Sequence, residues 1–174
     1  MKFLQLFKVW KRPVPSPVED FSKVDAVIAI PFGSHNESQP VGRSNASIAA
    51  LLISLHIRFN LPIGTQWEIA ECNQAIPCEV IVGPRFAPHI TTPEFFAAIK
   101  MARPEWKTII LVAHPDHIQR CVWTAEKMSY KVLIPDVSTI PYDPASSQWW
   151  CRGRAVFLFW ELAARLVCWW KGWI

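Results

Sequence analysis

Short apolar runs alternate with longer segments of helical period along this chain of 174 residues. The runs are rich in β-branched side chains and end at turn-forming residues, which is typical of buried strands. They occupy residues 24–30, 61–63, 78–82, 108–113 and 131–134. Because strands that alternate with helices form parallel sheets covered on both faces, the pattern leaves few architectures open.

Helix start signals lie between these runs. Thr92-Pro93-Glu94 and His114-Pro115-Asp116 each combine a capping residue, a proline and an acid in the first turn. The predicted helices cover residues 43–59, 66–74, 114–129 and 147–170, with a further one beginning at 92. The sequence therefore predicts an α/β fold, a Rossmann-like three-layer sandwich with a mostly parallel five-stranded sheet and a long C-terminal helix.

The length suits one domain, which we place at residues 21–174. Residues 1–20 are predicted to form an amphipathic helix followed by a proline-rich linker, because apolar residues repeat at helical spacing before three prolines. Such a helix lies either on a membrane surface or on its own domain or a neighbouring subunit, and we favour the second.

Net charge and cysteine content limit the classes of binding partner and the cellular locations that we expect. A formal net charge of +4 with scattered basic residues gives no reason to expect nucleic acid. Five cysteines without a CxxC pair indicate reduced thiols, and no segment has the ~18 uncharged apolar residues of a membrane-spanning helix. With no signal peptide expected, the predicted location is cytoplasmic, and peripheral membrane contact stays open.

The last predicted helix is unusually rich in tryptophan. Its apolar face is broader than one sheet face needs. Packing on the domain and a homodimer interface both stay open, because aromatic residues and arginine are enriched in interface cores.

Ligands of open parallel sheets bind beyond the carboxyl ends of the strands. The loops there contain Gly33, Ser34, Gly64, Thr65 and Gln66, which we predict to contact a ligand. None of these loops matches the dinucleotide or triphosphate glycine motifs, so the sequence names no cofactor.

The densest polar cluster follows the clearest strand. If His114 caps the helix there, His117 and Arg120 lie one and two turns further on. Arg120 would bind a phosphate or carboxylate, and His117 would exchange protons, oriented by Asp116 or His114. The alternative is that Asp116 serves the helix dipole and the histidines are partly buried polar residues. No third strong ligand is near, so no metal site is predicted.

Four residues outside this cluster are further candidates. Arg43 is expected beside the loop after the first strand, where it would reach an anion. Asn45 is a helix cap or a ligand contact, and Thr92 a cap first and a ligand contact second. Glu68 is a general base or only a partner of the helix dipole.

In the order of these features the chain resembles the YdcF/SanA-like family of bacterial proteins. The resemblance covers roughly residues 24–167 and rests on Asp25-Ala26-Val27-Ile28, Arg43, Gly64-Thr65-Gln66-Trp67-Glu68-Ile69-Ala70, Thr91-Thr92-Pro93-Glu94 and His117-Ile118-Gln119-Arg120. It implies a Rossmann-like fold with a pocket at the strand ends, and a loose link to the cell envelope.

We therefore expect a protein that binds, and acts on, an anionic small molecule that is phosphate-bearing or nucleotide-like. Arg43 and Arg120 would hold the anion, helped by backbone amides around Gly33, Gly64 and the helix start at His114, a further ligand-binding residue. His117 would be the acid–base group, supported by Asp116 and Glu68. The alternative is a non-catalytic metabolite-binding module or an envelope-associated interaction module.

Overall fold

A computed structural model describes residues 3–33, 41–72, 77–83 and 90–174. Its five strands form one sheet in the order β3-β2-β1-β4-β5, and every neighbouring pair is parallel. The strands are β1 (Ala26–Ala29), β2 (Ile63–Gln66), β3 (Cys78–Val82), β4 (Thr108–Val112) and β5 (Lys131–Leu133). Helices lie on both sides of the sheet. The predicted Rossmann-like α/β sandwich is confirmed.

In the ranges given above, five α-helices connect or follow these strands. They are α1 (Arg43–Phe59), α2 (Trp67–Ala70), α3 (Thr92–Ala102), α4 (Ile118–Lys127) and α5 (Arg154–Trp170). Short 3₁₀ segments occur at Phe3–Gln5, Val18–Lys23 and Trp149–Cys151. Among the described residues, none of the helices is both long enough and apolar enough to cross a membrane.

The centre of the sheet is the centre of the core. In β1 all four residues are fully buried, and Ile28 pairs with Gly64 on one side and Leu111 on the other. Both faces of this strand are covered, so its sequence is continuously apolar rather than alternating.

Strand β2 extends further than the sequence predicted, and it contains a glycine. We expected the strand to end at residue 63 and Gly64-Thr65-Gln66 to form a loop, but these residues complete β2. A Cβ at Gly64 would lie 3.0 Å from Ile99 Cδ1 and 3.1 Å from Trp106. Gly64 therefore permits close packing on the sheet instead of contact with a ligand.

Two helix starts also differ from the prediction. Glu94 Oε2 accepts hydrogen bonds from the backbone N–H and the hydroxyl of Thr91, at 2.8 and 2.7 Å, so Thr91 is the cap and Thr92 the first helical residue. Helix α4 begins at Ile118 after a turn in which the N–H groups of His117 and Ile118 donate to His114 O.

The C-terminal helix is shorter than expected. The predicted segment 147–170 opens as a 3₁₀ turn, and α5 begins only after Gly153, which has extended backbone.

The N-terminal segment packs on the domain. It forms a 3₁₀ turn and not a regular amphipathic helix. Leu6 is fully buried, and the ring of Phe3 lies 5.0 Å from that of Trp169 in α5. Further on, Ser16 exchanges hydrogen bonds with Ile134 beside β5.

Candidate functional site

A small cavity of about 130 Å³ lies at the carboxyl ends of the strands. Its lining comes from the loop after β1, the end of β2, the starts of α2, α3 and α4, and the residue before the 3₁₀ segment Trp149–Cys151. We call it the polar cavity. Its described lining residues are Ile30, Pro31, Gly33, Gln66, Glu68, Ile90, Thr92, Phe95, His117 and Gln148. Five predicted site residues are thus brought together here: Gly33, Gln66, Glu68, Thr92 and His117.

A larger opening of about 440 Å³ adjoins the polar cavity and shares Ile90, Thr92 and His117 with it. It runs between the start of α3 and the apolar face of α5, and we call it the aromatic groove. Its other described lining residues are Thr91, Pro93, Arg120, Trp160, Ala163, Ala164, Val167, Cys168 and Trp173. The predicted ligand residue Arg120 therefore lies in this groove.

Glu68 brings an unsatisfied carboxyl group to the polar cavity. The side chain belongs to the single turn of α2 and is only 9% exposed. Its Oε2 is buried, and no described residue offers it a hydrogen bond. Burial raises the pKa of Glu68 above its ordinary value. A ligand group that donates to or accepts from this oxygen would satisfy it.

His117 is held as a neutral ring. Arg120 Nη2 lies 3.2 Å from His117 Nδ1, and because a guanidinium only donates, Nδ1 accepts. The proton of the neutral ring is then on Nε2, which is 3.2 Å from Cys121 Sγ. Burial, and next the Arg120 cation, lower the pKa of His117.

A buried carboxylate that sequence reasoning overlooked lies behind these residues. Glu161, in α5, accepts hydrogen bonds from Arg120 Nε at 3.0 Å and Arg165 Nε at 2.9 Å. Burial opposes its ionisation, but the Arg120 cation, and with it Arg165, outweighs that effect and lowers the pKa of Glu161 to about 2. The sequence does contain a feature that points to Glu161: an acid and an arginine lie four residues apart within an otherwise apolar helix, which indicates a buried ion pair.

Asp116 does not orient His117 as expected. Arg12 donates two hydrogen bonds of 2.8 Å to its carboxylate, and Tyr142 donates a third of 2.8 Å. Arg154 Nε adds a contact of 3.2 Å. Burial disfavours the charged form, yet the bonds from Arg12 and Tyr142 lower the pKa of Asp116 overall. This carboxylate joins the N-terminal segment to the domain.

His114 is a core residue and not the helix cap. Its ring is fully buried and stacks on Phe32 with 3.8 Å between centroids. Asp116 N–H donates to Nδ1, while Nε2 finds no partner among the described residues. Burial lowers the pKa of His114 to about 3, so it stays neutral. His114 is therefore a buried histidine that does not occur among the described lining residues of the polar cavity or the aromatic groove.

The other predicted contacts shape the backbone around the cavity. Asn45 accepts a hydrogen bond from Phe32 N–H and donates one to Gly33 O, which fixes the loop after β1. Thr65 is buried and donates to Ala29 O. Arg43 is exposed and does not occur among the described lining residues of either cavity.

Ser34 lies outside the described residues. Within the described ranges, no three His, Cys, Asp or Glu side chains are grouped so as to hold a metal ion. All five cysteines are free thiols.

The fold and these cavities define a doubly wound α/β protein with a crevice at the carboxyl ends of its strands. Comparison of the chain with protein-family models, curated proteins and solved structures found no match.

Proposed function

We propose that this protein binds a small molecule with a flat apolar ring and an anionic group, as in a nucleotide, across the polar cavity and the aromatic groove. The observation that carries the proposal is the meeting of the two cavities at Thr92 and His117. One site thereby combines an unsatisfied carboxyl group, an aromatic wall and an arginine.

The aromatic groove suits the ring and the anion. Its volume of about 440 Å³ is within the usual range of small-molecule sites. Trp160 and Trp173 offer faces or edges on which a planar ring packs. Arg120 has five N–H donors, and the bonds to Glu161 and His117 use only part of them. Cys168 also contacts the Arg120 guanidinium, and we infer that the donors left over bind the anionic group in the groove.

The polar cavity suits hydrogen bonding and proton transfer. With its raised pKa, Glu68 changes protonation closer to neutral pH than an ordinary carboxyl group, which favours a general acid or base. His117 contacts Arg120 and Cys121 through its two ring nitrogens. We therefore propose Glu68 as the acid–base group. We propose that His117 positions the guanidinium of Arg120.

Binding is tested by titrating tryptophan fluorescence with AMP. The variant Ala164→Phe fills the aromatic groove without changing a charge, and Ala155→Phe places the same side chain on an exposed part of α5 outside both cavities. We expect saturable binding by wild type and Ala155→Phe, and at least ~10-fold weaker binding by Ala164→Phe. No binding to wild type, or equal binding by both variants, would refute the proposal.

A non-catalytic binding module is the second candidate. It is favoured by the two contacts of His117 and by the bond from Arg120 to Glu161, which hold both side chains in fixed positions. Incubation with AMP, followed by mass spectrometry of the mixture, separates the candidates. Conversion by wild type that Glu68→Gln abolishes supports catalysis, and unchanged AMP in both supports the binding module.

Membership of the YdcF/SanA-like family stays part of the proposal. It is supported by the acid after β2 and by His117 and Arg120 after β4, at this same edge of the sheet. A cytoplasmic location, contact with the cell envelope and a homodimer through α5 stay predictions. For the dimer, the supporting feature is the exposure of Phe159, Trp160 and Trp170.

A further inference from the structure

A third cavity, of about 160 Å³, shares no described lining residue with the polar cavity or the aromatic groove. It lies between the N-terminal segment, α4 and α5, and we call it the basic cavity. Its described lining residues are Gln5, Lys8, Lys11, Gln119, Trp123 and Arg165. Three of the six are cations and two are amides, and the six include no acid.

Arg165 is the deepest of these residues and is only 1% exposed. Its Nε donates to Glu161, and its guanidinium carbon lies 4.9 Å from the centroid of the Trp123 ring. Its two terminal nitrogens, Nη1 and Nη2, are buried, and neither has a hydrogen-bond partner among the described residues. Unpaired donors on a buried cation are costly, so they indicate a partner that comes from solution.

The charge count also favours an anion. Glu161 accepts from both Arg165 and Arg120, so one negative charge faces two positive charges in this part of the core. Lys8 and Lys11 add two more cations at the rim, where both are exposed. A small anion in the basic cavity would balance the excess and give Nη1 and Nη2 acceptors.

We propose that the basic cavity binds a phosphate group. Two terminal guanidinium nitrogens match two oxygens of a tetrahedral oxyanion, while lysines contribute charge without fixed geometry. A volume of about 160 Å³ has room for roughly five water molecules, which is enough for the phosphate group and some of its hydration. The group is either free phosphate or the head of a phosphomonoester.

Isothermal titration calorimetry with inorganic phosphate tests the site. The double variant Lys8→Gln/Lys11→Gln removes the rim charges, and Lys23→Gln/Lys107→Gln removes the same charge at exposed positions elsewhere. We expect binding by wild type and the control, and at least ~10-fold weaker binding by the rim variant. Arg165→Gln should abolish binding, but it removes a partner of Glu161, so the rim variant keeps the test valid if Arg165→Gln does not fold.

The phosphate site in the basic cavity can be tested independently of the ligand site across the polar cavity and the aromatic groove. Ala164→Phe, which fills the aromatic groove, should leave phosphate binding in the basic cavity unchanged. A parallel titration with glycerol 3-phosphate identifies the source, since tighter binding than phosphate indicates a phosphomonoester. No phosphate binding by wild type, or equal weakening in the rim variant and the control, would overturn the assignment.

Discussion

Arg120 and Arg165 bind opposite oxygens of one buried carboxylate, that of Glu161. Arg120 lines the aromatic groove, and Arg165 lines the basic cavity. The two proposed sites are therefore separated by a single fully buried side chain. An anion bound to one arginine weakens the attraction between that arginine and Glu161. Occupancy of one site is therefore expected to change the anion affinity of the other site.

Replacing Glu161 should cost far more than replacing a surface acid. Glu161→Gln leaves two buried guanidinium groups without their counter-ion, so we expect a loss of about 3–5 kcal/mol in the free energy of unfolding. Urea denaturation followed by fluorescence measures it. The matched control is Glu79→Gln, because Glu79 pairs with Arg103 while both are roughly 40% exposed, and its expected cost is at most about 1 kcal/mol. Similar costs in the two variants would contradict the buried ion pairs that Glu161 makes with Arg120 and Arg165.

Stability should fall as the solution becomes acidic, beginning near pH 6.5. The pKa of His114 is about 3 in the folded protein, and its ordinary value is 6.5. The unfolded chain therefore binds one more proton between these values, so stability is fully present above pH 6.5 and is lost as the pH falls. His114→Phe removes this group, and should lower the slope of unfolding free energy against pH by ~1.4 kcal/mol per unit in that window.

The control for the pH experiment is Ile110→Val in β4. This variant shortens a fully buried side chain and adds no titrating group. It should lower the free energy of unfolding by about 0.5–1.5 kcal/mol at every pH and leave the slope against pH as in wild type. If His114→Phe also lowers the unfolding free energy equally at every pH and keeps the wild-type slope, then His114 is not the cause of the pH dependence.

Gly33 should not tolerate a side chain. Its φ of 77° lies in the left-handed region, and an added Cβ would be 2.7 Å from Ser146 Oγ. We expect Gly33→Ala to cost about 1–2 kcal/mol, measured by thermal and urea denaturation. Gly153→Ala is the control, because its φ is −167° and nothing lies within 4 Å of the added atom. That change should stay within ~0.5 kcal/mol, and a larger effect there than at Gly33 would contradict the argument.

Local pattern was sufficient for much of the fold. The observed bounds of α1 and β3 are those predicted, because helical period and β-branched runs are local properties. The end of β2 was missed because glycine usually marks a turn. The strand continues because Gly64, Thr65 and Gln66 pair with β1 and β3, which is a tertiary contact that no local pattern specifies.

The site was predicted only in part, for a physical reason. Glu68 and His117 follow strands directly, so topology alone brings them to one edge of the sheet. Glu161 lies on the last helix, and its partners are set by tertiary packing that no local pattern specifies. The same holds for Asp116, whose partner Arg12 is 104 residues away in sequence.

The position of β1 at the centre of the sheet affects how the chain is made. Its two neighbours are β2, which follows early, and β4, which is complete only at Val112. Until the ribosome has released that segment, one edge of a fully apolar strand has no partner. A nascent chain that has not yet reached residue 108 therefore exposes this unpaired edge, and completion of β4 is the step that covers it.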